Sequence, residues 1–242
     1  MRNWTTIFAA MVVGLPGLYF TRNSLGRQVP TAHYALVQDV SDSMPNTCTA
    51  DVEVIRALMS HARSKYSTLT LMSSGGGRAS LEPTLVFNDT LPVPASALPF
   101  RAAKKAQAKA DNFLKRSEAA CTGIAPVHRS PIVKATRRAV EHLRSIGCAD
   151  GSGCILIVHS DLQDNDEMRV GDSGKEHPSV IDNTGIRVVL CGLSEGSHDR
   201  TSPDRDTLVQ RWRALFTVPV TIAPFCSAAV LTHNVLGSGG VQ

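Results

Sequence analysis

The stretch Ala35-Leu-Val-Gln-Asp39-Val-Ser41-Asp42-Ser43 constrains the fold more than any other part of the chain. An apolar run leaves a polar linker and stops at once in Asp-x-Ser-x-Ser. A continuous apolar run bounded by polar residues reads as a strand buried on both faces, which occurs in parallel sheets covered by helices. Such a strand delivers one carboxylate, Asp39, and two hydroxyls, Ser41 and Ser43, to the loop at its C-terminal end. An oxygen-only donor set suits a hard divalent cation such as Mg²⁺, whereas zinc prefers His and Cys.

Two further segments complete the pattern. Ser130-Pro131-Ile132 opens a stretch whose apolar residues Ile132, Val133, Ala135, Ala139, Val140, Leu143 and Ile146 share one helical face. Pro131 fits the first turn of that helix and Ser130 its N-cap. Cys154-Ile-Leu-Ile-Val-His159-Ser160-Asp161 is a second buried strand that ends in an acid. Open α/β sheets place ligands in loops at the carboxyl ends of their strands. A simpler use of Asp39 and Ser41 is as caps of the helix that follows.

The set Asp39-x-Ser41-x-Ser43, Ser130-Pro131-Ile132 and Ser160-Asp161 resembles a von Willebrand factor A-type domain with its metal-ion-dependent adhesion site. The resemblance covers roughly residues 31–227. Ser130 stands where that family uses Thr, His128 and Arg129 stand where Gly is usual, and a long insert precedes this loop. The resemblance implies an α/β, Rossmann-like doubly wound and mostly parallel sheet with helices on both faces. It also implies a metal held by Asp39, Ser41, Ser43, Ser130 and Asp161, directly or through water. With two carboxylates facing it, Mg²⁺ (or Mn²⁺ or Ca²⁺) stays electrophilic and accepts an Asp or Glu carboxylate from a protein partner. The implied activity is a protein-binding adhesion or assembly module without catalysis. A metal-dependent phosphoesterase or nuclease using Asp42, Asp164 and Asp166 is an alternative, though no general base emerges. His128, His159 and His177 are scattered, and His159, inside an apolar strand, reads as a hydrogen-bonded core histidine. A metal-independent scaffold is the third reading.

Residues 1–30 read as a signal anchor, or a signal peptide, plus a linker. Residues 7–20 are uncharged and mostly apolar, short for a span of about 20 residues, and a buried N-terminal helix is a further reading. Six cysteines fit a disulfide framework. Cys148 and Cys154 bracket a flexible turn, Cys48 and Cys121 fall on one predicted rim, and Cys191 and Cys226, at the ends of the last two predicted strands, either pair or stay as buried free thiols. Together these features point to a membrane-anchored, extracytoplasmic protein, periplasmic or at the cell surface; secreted and cytoplasmic placements are alternatives.

The remaining chain alternates apolar runs with amphipathic helices, as one α/β domain over residues 31–227 with a tail at 228–242. The expected strands are 34–38, 68–72, 85–87, 155–159, 188–190 and 221–223, and the expected helices 50–64, 132–146 and 204–216. A helical insert at about 92–122 carries Lys104, Lys105, Lys109, Lys115 and Arg116. Between Arg101 and Arg144 eleven bases face three acids, although the whole chain is only +4. Such a lobe can bind an anionic surface, but Lys- and Arg-rich helix faces are usually only solvated surface, the stronger reading here, and no aromatic residues interleave to stack bases, so nucleic acid is not an expected partner.

Overall fold

The computed structural model describes residues 31–44, 47–62, 66–75, 82–126, 130–148, 153–163, 179–193 and 205–233. The expected anchor segment, Asp164, Asp166, His128, Arg129, His177 and most of the tail lie outside these residues. Among them run β1 (His33–Gln38), α1 (Thr47–His61), β2 (Thr68–Ser73) and β3 (Thr84–Thr90). There follow α2 (Phe100–Thr122), α3 (Ile132–Ser145), β4 (Cys154–His159), β5 (Ile186–Cys191), α4 (Arg205–Ala214), β6 (Thr221–Ala223) and α5 (Ala228–Leu231). No helix among the described residues is long and apolar enough to cross a membrane.

The strands form one sheet in the order β3-β2-β1-β4-β5-β6. All neighbours are parallel except β2 and β3, an antiparallel pair at one edge with a register shift at Leu71/Met72. This is the doubly wound, mostly parallel α/β sheet expected from the sequence. The chain runs outward from β1 through β2 to β3, then returns to the other side of β1 as β4. The strand order therefore reverses between β1 and β4, where such sheets open a crevice beyond their C-terminal ends.

Strand alternation assigns the two cores. Ala35 and Val37 of β1, Leu156 and Val158 of β4, and Val188 and Leu190 of β5 face α3 and α4, packing with Ile132, Ala139, Leu143, Leu208 and Trp212. Tyr34, Leu36, Ile155, Ile157 and Val189 face the opposite side, against Val54, Ile55 and Leu58 of α1, Phe113 of α2 and Leu231 of α5. β1 and β4, at the centre of the sheet, are buried on both faces and read as nearly continuous apolar runs; β2 interleaves Thr68 and Thr70, and β5 exposes Arg187. Phe113 also meets Phe87 edge to face, with centroids 5.2 Å apart, which ties α2 to the edge strand β3.

The six cysteines form three disulfides: Cys48–Cys121, Cys148–Cys154 and Cys191–Cys226. They join α1 to α2, the end of α3 to β4, and β5 to the segment beyond β6.

Candidate metal centre

β1 and β4 pair in register, with Gln38 opposite His159. The ladder continues past the strand ends: Asp39 N–H donates to His159 C=O at 2.9 Å, and Ser160 N–H to Cys191 C=O at 2.9 Å. The shared register thus delivers Asp39 and Ser160-Asp161 side by side at the reversal point of the sheet.

Asp39 is fully buried. Its Oδ1 accepts the Ser41 backbone N–H at 2.9 Å and the Ser130 hydroxyl at 2.7 Å, and its Oδ2 accepts the Ser160 hydroxyl at 2.6 Å. The Ser41 and Ser43 hydroxyls lie 2.9 Å apart. Three chain segments separated by up to 121 residues therefore meet at one carboxylate. Asp161, next to Ser160, is buried, and its Oδ1 accepts the Gln163 N–H at 3.0 Å. The loop is stiffened further along. Leu162 is held at φ 65°, the left-handed region; its N–H donates to Ser160 Oγ at 2.9 Å and its C=O accepts Trp212 Nε1–H at 2.8 Å. A non-glycine residue there costs about 1–2 kcal/mol, which these bonds and the burial of Leu162 offset.

The Ser130 hydroxyl corrects one expectation. It does not cap α3; Pro131 occupies the N-cap, with no side-chain capping bond. Aimed at Asp39 instead, Ser130 joins the carboxylate cluster and is fully buried. The capping alternative for Asp39 fails likewise, since its carboxylate bonds Ser41, Ser130 and Ser160. Only its backbone C=O reaches α1, accepting the Thr47 hydroxyl at 3.2 Å, while Gln38 Nε2–H donates to that same hydroxyl at 3.1 Å.

Behind the cluster, His159 Nδ1 and Asp51 Oδ1 are 2.6 Å apart and both side chains are fully buried. His159 is the hydrogen-bonded core histidine expected, and its partner was not foreseen. Asp51 shares a helical face with Val54, Ile55 and Leu58, and that spacing marks it as buried. Ser160 was also missed as a direct partner of Asp39. Gly192 packs against the same residues: at φ +100°, a Cβ there would meet His159 Cδ2 at 2.8 Å and Ser160 O at 3.0 Å.

The donors fit a hard cation. Burying a carboxylate is costly unless it is paired, yet all of Asp39's described partners are neutral. A hydroxyl that donates its proton to Asp39 keeps its lone pairs for a cation. Among the described residues no three His, Cys, Asp or Glu side chains cluster, so hydroxyls rather than further acids would complete the shell. Asp42 is exposed on the same loop. The basic residues Lys104, Lys105, Lys109, Lys115 and Arg116 are exposed on α2. Arg116 pairs with Asp89 and lies 5.7 Å from the Phe87 ring centre.

Among solved structures, the chain is similar to the pilus adhesin SpaC of Lactobacillus rhamnosus GG in its open conformation, at 11% identity and a TM-score of 0.48 over 88% of this chain. It is similar to the manganese-loaded TRAP protein of Plasmodium vivax, at 15% identity and 0.44, covering 84% of this chain and 72% of that one. A third is the ArnB paralog VWA2 of Sulfolobus acidocaldarius, at 9% identity and 0.43 over 86% of this chain. The chain spans 30% of the length of SpaC and 45% of VWA2. No protein-family model and no curated protein matches the sequence.

Proposed function

We propose that this von Willebrand factor A-like chain is a binding module that engages an acidic group of a protein partner through a divalent cation held at Asp39, Ser41, Ser43, Ser130 and Asp161. One observation carries the reading: a fully buried carboxylate, Asp39, is gripped by donors from three chain segments, none of them a cation among the described residues. A bound Mg²⁺ or Mn²⁺ would supply the missing positive charge and an open coordination position for a partner's Asp or Glu. The chain's own residues do the rest. Ser130 and Ser160 fix both oxygens of Asp39, and Leu162 and Trp212 fix the loop that carries Asp161. The reading needs no proton donor or acceptor, in keeping with a module that binds rather than catalyses.

The three disulfides fit an oxidising, extracytoplasmic setting, and the apolar residues 7–20 would hold the module at a membrane. Titration calorimetry of Mg²⁺ and Mn²⁺ into the full-length protein tests the metal. Saturable binding is expected for the natural chain, with at least a hundredfold loss in Asp39→Asn, which keeps the shape of the side chain and removes its charge. Equal heats for both proteins would overturn the assignment.

A further inference from the structure

A recess lies along the insert helix, lined by none of the residues of the carboxylate cluster. It is a groove of about 550 Å³ between α2 and the segment that leaves β3, residues 89–98. Its floor is apolar: Leu91, Ala106 and Phe113 line it and are each less than a tenth exposed. Val93, Leu98 and Ala102 form its walls. Along one side run Lys105, Lys109, Asn112 and Arg116, spaced four, three and four residues apart, so they form a single stripe on the helix. At 1.5 Å per residue this stripe is about 16 Å long.

The charges on the stripe are unevenly answered. Arg116 is paired with Asp89. Among the described residues no acid pairs with Lys105 or Lys109, which stand one helical turn apart with like charge. Like charges at this spacing oppose the helix, so an anion seated between them is favoured twice. The form of that anion follows from the layout. A single-headed amphiphile places its charge at one end, whereas these donors are spread along the length of an apolar trough. A phosphodiester backbone would repeat its charge, but its bases would find no exposed aromatic face in the trough to stack on. Acidic side chains alternating with apolar ones on an extended strand match both features, and 16 Å accommodates about five residues of it.

We propose that this groove docks an extended peptide segment of a partner protein in which Asp or Glu alternates with apolar residues. The apolar side chains lie on Leu91, Ala106 and Phe113, and the carboxylates on Lys105 and Lys109. The site is independent of divalent metal and offers a partner an attachment additional to the one proposed at Asp39.

Fluorescence anisotropy on the full-length protein in EDTA tests this, with three labelled hexapeptides alternating Leu with Glu, Leu with Lys, and Ser with Glu. The Leu/Glu peptide should bind saturably and weaken with salt, and the other two should bind at least tenfold more weakly. Lys105→Glu with Lys109→Glu should cut its affinity at least tenfold, and Ala102→Trp, which fills an exposed wall, should do the same without changing charge. Asp39→Asn should leave it unchanged, so failure here and failure of the metal assignment are read separately. Absent Leu/Glu binding, equal binding of the Ser/Glu peptide, or indifference to the lysine variants would overturn the proposal. So would a protein that ignores all three peptides yet binds phosphatidylcholine vesicles carrying phosphatidylserine through the same lysines, which would make the stripe a membrane surface.

Discussion

Gly192 follows β5 at φ +100°, with His159, Ser160 and Met44 crowding the space a side chain would need. Gly192→Ala combines a disfavoured backbone with contacts of 3.0 Å or less, and should cost about 2 kcal/mol or more in chemical denaturation. Because it presses on Ser160, it should also weaken the divalent binding proposed for the Asp39 cluster. The His159–Asp51 pair gives a second expectation. Asp51→Ala removes a carboxylate bonded to a buried histidine and should destabilise by about 3–5 kcal/mol, whereas Asp51→Asn, which retains an acceptor, should cost less; thermal melts of the two variants check the ranking. Asp39, Ser41 and Ser43 were legible because they are close in sequence and follow an apolar run. The approach of Ser130 to Asp39, 91 residues apart, was open to sequence reasoning only through the pattern it completes. Gly192 was not, since a glycine after a strand is ordinary until the residue beside it in space is known.

The helices and strands themselves followed closely from periodicity, because nearly every one has a single buried face or is buried throughout. The strand expected over 85–87 proved longer, Thr84–Thr90. At the sheet edge its side chains are largely exposed, so hydrophobic pattern under-reported it. The helix expected to begin at Ala50 begins at Thr47, whose hydroxyl bonds Asp39 C=O and whose side chain is buried; apolar period carries no trace of such a bond. Two disulfides at this scale differ in what they restrain. Cys148–Cys154 closes a separation of 6 residues and Cys48–Cys121 one of 73. Loop-closure entropy assigns about 2.4 kcal/mol to the first and about 4.4 kcal/mol to the second. Replacing Cys48 and Cys121 by Ser should therefore lower the melting temperature more than replacing Cys148 and Cys154. The longer bridge also fastens α2, with its lysine stripe, to the helix that follows the Asp39 loop.

Over the whole molecule, stability should peak between acid and alkaline limits set by different groups. Burial lowers the His33 pKa below its ordinary 6.5, so the folded state binds a proton less readily and stability falls as pH drops through that value. Below it, Glu82, held down mainly by its bond to Lys134, and Asp182, held down mainly by Arg144, remove further stability as pH falls past the ordinary 4.5 and 3.8. At the other limit, burial raises Tyr34 above 10.0, and stability declines as pH rises through that range. Melting temperature measured across pH checks both flanks, and His33→Gln should flatten only the step near neutrality.

β1 enters the sheet at His33 and leaves it at Gln38, one residue before Asp39, with β2 on one side and β4 on the other. Tension applied between the chain before Thr31 and anything bound at Asp39 therefore travels along one central strand, without crossing a turn. The covalent backbone of β1 carries such a pull, and the ladders to β2 and β4 hold the strand in place beside it. Under the proposed metal-mediated binding, a partner held at Asp39 would pull along the same strand that carries that residue.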